Sequence, residues 1–144
     1  MSWAEALKHG LVAHGAPAME AIGRGVGEGM LPQGGVVALY GSLGVGKTTL
    51  ARGLAQQRGV AHINSPSFNY YFFYPGARPL LHLDAYRLER AEDFPSLMID
   101  ELLTPGTLWV VEWPEKLGDY LPASALRLEL SILSPGVHGV KLVG

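Results

Sequence analysis

Residues 35–49 read GVVALYGSLGVGKTT. The first six form an apolar run with two valines, which predicts a buried strand over Gly35–Tyr40. A match to the pattern G-x-x-x-x-G-K-[ST] follows at once, made of Gly41, Ser42, Leu43, Gly44, Val45, Gly46, Lys47 and Thr48. Residues 47–58 then have helical composition, and Gly59 is a typical helix stop. Strand, glycine loop and helix stand in the order that a phosphate-binding site requires.

Chance does not account for this match. The chain has 19 glycines in 144 residues, and its composition gives about 0.006 matches per shuffled sequence. Glycines let backbone N–H groups turn towards phosphate oxygens, and the helix N-terminus adds a positive dipole. We expect Lys47 to bridge the β- and γ-phosphates of a nucleoside triphosphate and the Thr48 hydroxyl to bind Mg²⁺. Thr49 completes the predicted nucleotide-binding segment, residues 41–49.

Two acidic residues end apolar runs elsewhere in the chain. Asp84 follows LLHL, and Glu112 follows LWVV. Because the carboxyl ends of parallel strands meet at one edge of a sheet, both carboxylates are predicted to face the glycine loop. One would hold Mg²⁺, directly or through water, and the other would orient or deprotonate an attacking water; the sequence leaves open which does which. Together with Lys47 they are the predicted catalytic residues, and together with Thr48 the predicted metal ligands.

Four more residues are candidates for switch or partner roles. Ser67 lies where a loop sensing the γ-phosphate could sit, with a capped turn as the alternative. His82 either contacts phosphate or water, or is a hydrogen-bonded strand residue. Arg87 either neutralises transition-state charge or contacts a partner, or forms an ordinary salt bridge. Trp113 either flanks the nucleotide, or belongs to the core or to a wall around the site.

The rest of the chain predicts an α/β fold. Apolar residues at helical spacing predict a helix through residues 19–30, with its glycines in close packing or in a frayed segment. The aromatic run at 68–74 predicts a strand with both faces covered. A turn at 75–79 implies that this strand pairs antiparallel with 80–84.

Towards the C-terminus, the acidic segment 89–101 predicts one or two helical turns facing solvent or a partner. Residues 126–133 alternate as a strand, and 137–143 return as a hairpin. The fold class predicted from the whole pattern is a three-layer α/β fold like that of P-loop NTPases, with a parallel central sheet flanked by antiparallel strands.

Length and composition narrow the function. We expect 144 residues to form one domain, 1–144, and the net charge of −2 gives no basic excess for direct binding to nucleic acid. The absence of cysteine excludes disulfides, thiolate metal sites and cysteine nucleophiles. The N-terminus lacks the pattern of a signal peptide, and no apolar run is long enough for a membrane span. We expect a soluble, unprocessed, cytoplasmic protein.

Four segments together resemble the bacterial TsaE family, formerly YjeE, of small P-loop ATPases required for threonylcarbamoyladenosine modification of tRNA. They are GSLGVGKTTLARGLA at 41–55, SPSF at 65–68, HLDAYRL at 82–88 and VEWPEKLGDYLP at 111–122. The resemblance runs from about residue 17 to the C-terminus. The family usually has Asp at the position of Ser42, Thr at Ser67, and a helix Thr where this chain has Met19.

The resemblance implies an ATPase that uses Mg²⁺ and ATP, releases ADP, and acts on a partner complex. In the family the partners are TsaD and TsaB, the pair that transfers the threonylcarbamoyl group to adenosine 37 of tRNAs reading codons that begin with A. Hydrolysis would reset that pair between cycles, and tRNA would be contacted indirectly or weakly. The preference for ATP over GTP rests on the resemblance alone.

Two other functions stay open from the residues. A small-molecule kinase would share the phosphate loop, but would need an arginine-rich lid and a pocket for an acceptor hydroxyl. A nucleotide-gated binding module with negligible turnover would need the glycine loop, but it would not need Asp84 and Glu112 for catalysis.

Overall fold

The computed structural model describes residues 1–64 and 69–144. Over these residues the helices are α1 (Trp3–His9), α2 (Ala16–Met30) and α3 (Lys47–Gln57). The strands are β1 (Leu11–His14), β2 (Gly35–Tyr40), β3 (Tyr71–Tyr74), β4 (Leu80–Asp84), β5 (Leu108–Glu112), β6 (Leu126–Ser134) and β7 (Val137–Leu142). Short 3-10 helices follow β4 and β5, at Ala91–Leu97, Ile99–Glu101 and Pro114–Tyr120.

The described strands form one sheet in the order β1-β7-β6-β2-β5-β4-β3. At its centre, β2 pairs in parallel with both β5 and β6, and β4 pairs in parallel with β5. At its flanks, β3 is antiparallel to β4, and β1, β7 and β6 are joined by antiparallel ladders. The predicted fold class, a parallel centre with antiparallel flanks, is therefore confirmed.

Helices cover the two faces of the sheet, which gives three layers. On one face, α1, α2 and α3 pack against strand residues such as Val37, Leu39 and Val110. On the other, the 3-10 helices contribute Phe94 and Leu117 to a second apolar cluster. Within the described residues, no helix is long and apolar enough to cross a membrane.

The glycines of α2 serve close packing against α3. A Cβ atom added at Gly23 would lie 2.9 Å from Gly53 Cα, so the two backbones approach as closely as the absence of side chains permits. The apolar residues of α2 point the same way, since Met19, Ile22 and Val26 are buried. Of the two interpretations given to this glycine-rich segment, close packing is the one that the structure shows.

Some details differ from the expectations. The aromatic strand begins only at Tyr71, and β3 lies at the edge of the sheet. Tyr74 packs against the core cluster on one face of the sheet, and Tyr71 and Phe73 pack against the cluster on the other face. Both faces of the strand are therefore covered as predicted, although its residues are only half-buried. Phe68, its predicted first residue, lies outside the described residues. The acidic segment is helical as predicted, although Phe94 and Ile99 turn inward to the core. Helix α1 and strand β1 were not predicted.

Candidate functional site

The carboxyl ends of the three central strands β2, β5 and β4 meet at one edge of the sheet. Their parallel register sets Leu39 beside Glu112, and Glu112 beside Asp84. The glycine loop leaves β2 at the same edge and leads into α3. A cleft of about 490 Å³ opens there, lined by Leu43, Gly44, Gly46, Lys47, Thr48, Thr49, Tyr70, Asp84, Tyr86, Arg87, Glu112 and Trp113.

The glycine loop ends in an open helix terminus. Gly46 is the N-cap of α3, with φ 106° in the left-handed region that favours glycine. No side chain caps the first turn, and that turn contains no acidic residue. The first backbone N–H groups of α3 therefore remain available to an anion in the cleft.

Lys47 is held by protein groups at the floor of the cleft. Its Nζ donates a 2.6 Å hydrogen bond to the Gly41 carbonyl and lies 3.7 Å from the ring centroid of Trp113. The side chain is only 5% exposed. Burial lowers the pKa of Lys47, while the nearby carboxylates of Glu112, Glu115 and Asp84 act in the opposite direction.

Glu112 is the most enclosed acid of the site and touches residues from two other elements. It is 5% exposed, and its Oε2 lies 2.6 Å from His82 Nε2. The Thr48 hydroxyl lies 3.4 and 3.3 Å from its two carboxylate oxygens, which are long contacts for an O–H···O hydrogen bond. His82 is thus a hydrogen-bonded strand residue behind the cleft, the second of its two predicted alternatives.

Asp84 sits beside Glu112 in a less enclosed position. Its Oδ1 accepts a 3.0 Å hydrogen bond from the backbone N–H of Tyr86. Burial raises the pKa of Asp84, and the Glu112 carboxylate raises it further, against the Tyr86 hydrogen bond and the nearby His82 and Lys47. A carboxyl group with a raised pKa in a cleft is a better proton acceptor than an ordinary surface aspartate.

The oxygen donors of the cleft suit a hard cation such as Mg²⁺. The described residues hold no group of three or more His, Cys, Asp or Glu arranged to bind a metal ion. Mg²⁺ needs less than that, since it is usually held by one or two carboxylates, waters and the phosphates of a bound nucleotide. Thr48, Glu112 and Asp84 supply hard oxygen atoms, and a cation bound in the cleft would reduce the mutual repulsion of the two carboxylates.

Aromatic side chains form the outer wall of the cleft. The rings of Tyr86 and Trp113 lie 5.0 Å apart, centroid to centroid. Tyr70 and Trp113 both have φ 57°, a left-handed conformation that is uncommon for residues other than glycine and clusters at functional sites. Trp113 is therefore a wall of the site. Sequence reasoning missed Tyr70 and Tyr86, although Tyr86 stands two residues after Asp84 in a motif it had singled out.

The other predicted site residues occupy different positions. Ser42 and Leu43 are exposed on the loop, Val45 is buried beneath it, and Arg87 is exposed at the rim of the cleft. Ser67 lies outside the described residues. Met19 packs under the loop, with its Cε 3.1 Å from the place where a Cβ at Gly46 would be.

Comparisons with known proteins place the chain in a family. A family model described as "Threonylcarbamoyl adenosine biosynthesis protein TsaE" matches residues 13–135. The tRNA threonylcarbamoyladenosine biosynthesis protein TsaE of Treponema pallidum is 36% identical over 108 residues, which cover 74% of this chain and 80% of that protein. The protein of the same name from Streptomyces coelicolor is 38% identical over 117 residues, 78% of each chain.

A solved structure has the same fold. The crystal structure of YdiB from Bacillus subtilis aligns with a TM-score of 0.68 and 24% sequence identity, over 92% of this chain and 82% of that one. At this identity the likeness concerns the fold alone, whereas the family model, over residues 13–135, includes the glycine loop and both acidic strand ends. The chain belongs to the TsaE family of tRNA threonylcarbamoyladenosine biosynthesis proteins.

Proposed function

We propose that this protein is a Mg²⁺-dependent ATPase that acts on the TsaB–TsaD pair in the N6-threonylcarbamoyladenosine modification of tRNA, in the cytoplasm. One observation carries the enzymatic part of the proposal. Lys47, Thr48, Asp84 and Glu112 come from three separate stretches of sequence and line one cleft in front of an uncapped helix. Phosphate binding alone would not need the two carboxylates.

Lys47 and α3 would bind the phosphates. The lysine would leave the Gly41 carbonyl and the Trp113 ring, and its ammonium group would bridge the β- and γ-phosphates. The open N–H groups of the first turn of α3 would donate to phosphate oxygens. Both changes replace contacts within the protein by charge-assisted hydrogen bonds to the nucleotide.

The distances favour different roles for the two acids. Glu112 faces the Thr48 hydroxyl at 3.3 Å, so these two side chains are the pair proposed to hold Mg²⁺, whose charge would stabilise the phosphates in the transition state. Asp84, with its raised pKa, would orient the attacking water and accept its proton. Water oxygen bonds to the γ-phosphorus, the bond from that phosphorus to the bridging oxygen breaks, and ADP and phosphate are released.

The partner side of the proposal rests on the family. The chain's net charge of −2 does not favour autonomous binding to tRNA. No small-molecule acceptor is needed, because hydrolysis would serve to change the affinity of this protein for the pair. The threonylcarbamoyl transfer would be carried out by TsaD and TsaB.

Phosphate release from Mg·ATP tests the proposal, measured on the purified protein alone and with the TsaB–TsaD pair of the same organism. We expect the pair to raise turnover, and Glu112→Ala and Asp84→Ala each to lower it by about 10²-fold or more. Asp119→Asn, which removes an exposed acid outside the cleft, is the matched control. Turnover that ignores the pair would contradict the partner role. ATP-dependent binding to the pair without measurable turnover in the wild type would favour a nucleotide-gated module.

A further inference from the structure

We infer that His82 is a positioning residue for Glu112: it fixes the carboxylate in the orientation that faces Thr48, and thereby sets the affinity of the cleft for Mg²⁺ in the presence of nucleotide. The inference rests on the proposed function and adds a residue to it. The His82 side chain does not itself reach the cleft. His82 is fully buried, at 0% exposure, and does not line the site.

The sheet register explains how His82 reaches Glu112. Side chains alternate along a strand, so Leu80, His82 and Asp84 of β4 point to the face covered by α3. Val110, which lies opposite His82 on β5, and Glu112, two residues further on, point to the same face. The imidazole thus contacts its diagonal neighbour, and the contact is built into two central strands rather than into a loop.

The contact between His82 and Glu112 is short enough for a strong hydrogen bond. His82 Nε2 and Glu112 Oε2 are 2.6 Å apart, and an ionised carboxylate can only accept. Towards an ionised Glu112, Nε2 is the donor, and the hydrogen bond is then charge-assisted. Among the described residues, Nδ1 is buried without a hydrogen-bond partner, so Glu112 is the one polar group that this ring is seen to serve.

Thr48 shows what the orientation achieves. Glu112 Oε2, the oxygen bound by His82, is also the one nearer to the Thr48 hydroxyl, at 3.3 Å. Without His82, the carboxylate could rotate about its side-chain torsions and would lose this alignment. Groups that hydrogen-bond a metal ligand from behind fix its geometry, and their removal typically costs about 10- to 100-fold in metal affinity or activity.

An alternative must be separated from this inference, namely that His82 only satisfies a buried acid and stabilises the fold. The paired substitutions His82→Gln and His82→Asn make the distinction. The amide nitrogen of Gln can occupy the place of Nε2, whereas that of Asn is too short to reach Glu112. Both are polar and smaller than or similar in size to histidine, so both face a similar cost of burial.

The measurement is the affinity of the 144-residue chain for ADP by calorimetry, with Mg²⁺ and with EDTA. We expect Mg²⁺ to tighten ADP binding in the wild type and in His82→Gln. In His82→Asn we expect about tenfold or greater loss of that Mg²⁺ effect, with affinity in EDTA unchanged. Leu81→Ala, on the opposite face of β4, controls for loss of stability, since it lowers the melting temperature without touching Glu112.

A double-mutant cycle between His82 and Glu112 gives the decisive outcome. If His82→Asn folds poorly, His82→Phe can replace it in the cycle. If His82 acts through Glu112, its substitution adds nothing to the loss already caused by Glu112→Gln. Additive losses, or a Mg²⁺ effect of wild-type size in His82→Asn and His82→Phe, would overturn the inference alone. Failure of the wild type to bind Mg·ADP would overturn the proposed function as well.

Discussion

The ammonium group of Lys47 lies 3.7 Å from the centroid of the Trp113 ring while it donates to the Gly41 carbonyl at 2.6 Å. The lysine that should bind phosphate is thus already engaged with an aromatic face and a backbone oxygen. Such a cation–π contact contributes about 0.5–2 kcal/mol, depending on its exposure to solvent. Nucleotide binding must replace this cation–π contact by contacts between Lys47 and phosphate, so the environment of the Trp113 ring should change when nucleotide binds.

The emission of Trp113 should therefore report on Lys47. In a variant with Trp3→Phe and Trp109→Phe, we expect Mg·ADP to change the emission as the ammonium leaves the indole. Lys47→Met, without nucleotide, should give an emission close to that of the ADP-bound protein, because both lack the cation over the ring. Identical spectra for all three samples would show that the contact is not populated in solution.

Removal of the Lys47 charge should weaken nucleotide binding directly. Hydrogen bonds to charged groups contribute about 1.5–3 kcal/mol, so we expect Lys47→Met to lower the affinity for ATP by roughly tenfold to over a hundredfold. Lys116→Met is the control, since Lys116 is an exposed lysine beyond the cleft. Equilibrium dialysis with labelled ATP measures the affinity of both variants. Equal affinities would show that the glycine loop does not bind the nucleotide.

Asp84 should make the empty protein less stable at neutral pH. Because its pKa is raised in the folded state, the native protein holds the Asp84 proton more readily than the unfolded chain does. Stability therefore falls as the pH rises from the unfolded pKa of about 3.9 through the folded value. Asp84→Asn keeps an oxygen that can accept from the Tyr86 N–H but loses the charge.

In EDTA and without nucleotide, we thus expect Asp84→Asn to melt at a higher temperature than the wild type at pH 7. The difference should shrink as the pH is lowered and vanish below about pH 4, where the wild-type carboxyl group is protonated in both states. Asp119→Asn controls for the loss of one negative charge at the surface. A difference that stays constant with pH would mean that burial of the Asp84 charge is not its cause.

Much of the fold could be predicted because local signals agreed with the tertiary arrangement. Three central strands have the bounds that their apolar runs indicated, because each run is buried in the sheet and ends where the chain becomes polar or enters the glycine loop. They are Gly35–Tyr40, Leu80–Asp84 and Leu108–Glu112. Their parallel order followed from the position of the glycine loop between strand and helix. The convergence of Asp84 and Glu112 then required only that parallel strands end at one edge.

The rest could not be predicted because it depends on contacts distant in sequence. Strand β1 has four residues and is specified by its pairing with β7, so no local pattern distinguishes it from a loop. The choice between the two interpretations of His82 needed the register of β4 against β5. Tyr86 enters the cleft because Asp84 turns the chain beyond the end of β4, which alternation within a strand does not describe.

The α2–α3 contact gives a last test, in which two glycines of α2 and α3 should respond in opposite ways to alanine. In a helix interior, alanine is favoured over glycine by about 0.5–1 kcal/mol. At Gly53, an added Cβ would lie 2.9 Å from Gly23 Cα, with the Glu20 backbone also too close, so the helices would have to separate. At Gly27 it would meet only the side chain of Gln57, with Oε1 at 3.2 Å, so a shift of a few tenths of an ångström by this side chain, whose Oε1 accepts a hydrogen bond from Arg78, would make room.

We therefore expect Gly53→Ala to lower the free energy of unfolding by about 1–3 kcal/mol, as overpacked cores do. Gly27→Ala should raise it by about 0.5 kcal/mol or more, because the gain in helix propensity meets little steric cost. Urea unfolding followed by circular dichroism measures both variants against the wild type. Equal stabilisation by the two substitutions would show that the backbones of α2 and α3 do not meet at Gly23 and Gly53. Since α3 begins at Lys47, a separation of the helices at Gly53 should also weaken ATP binding, whereas Gly27→Ala should leave it unchanged.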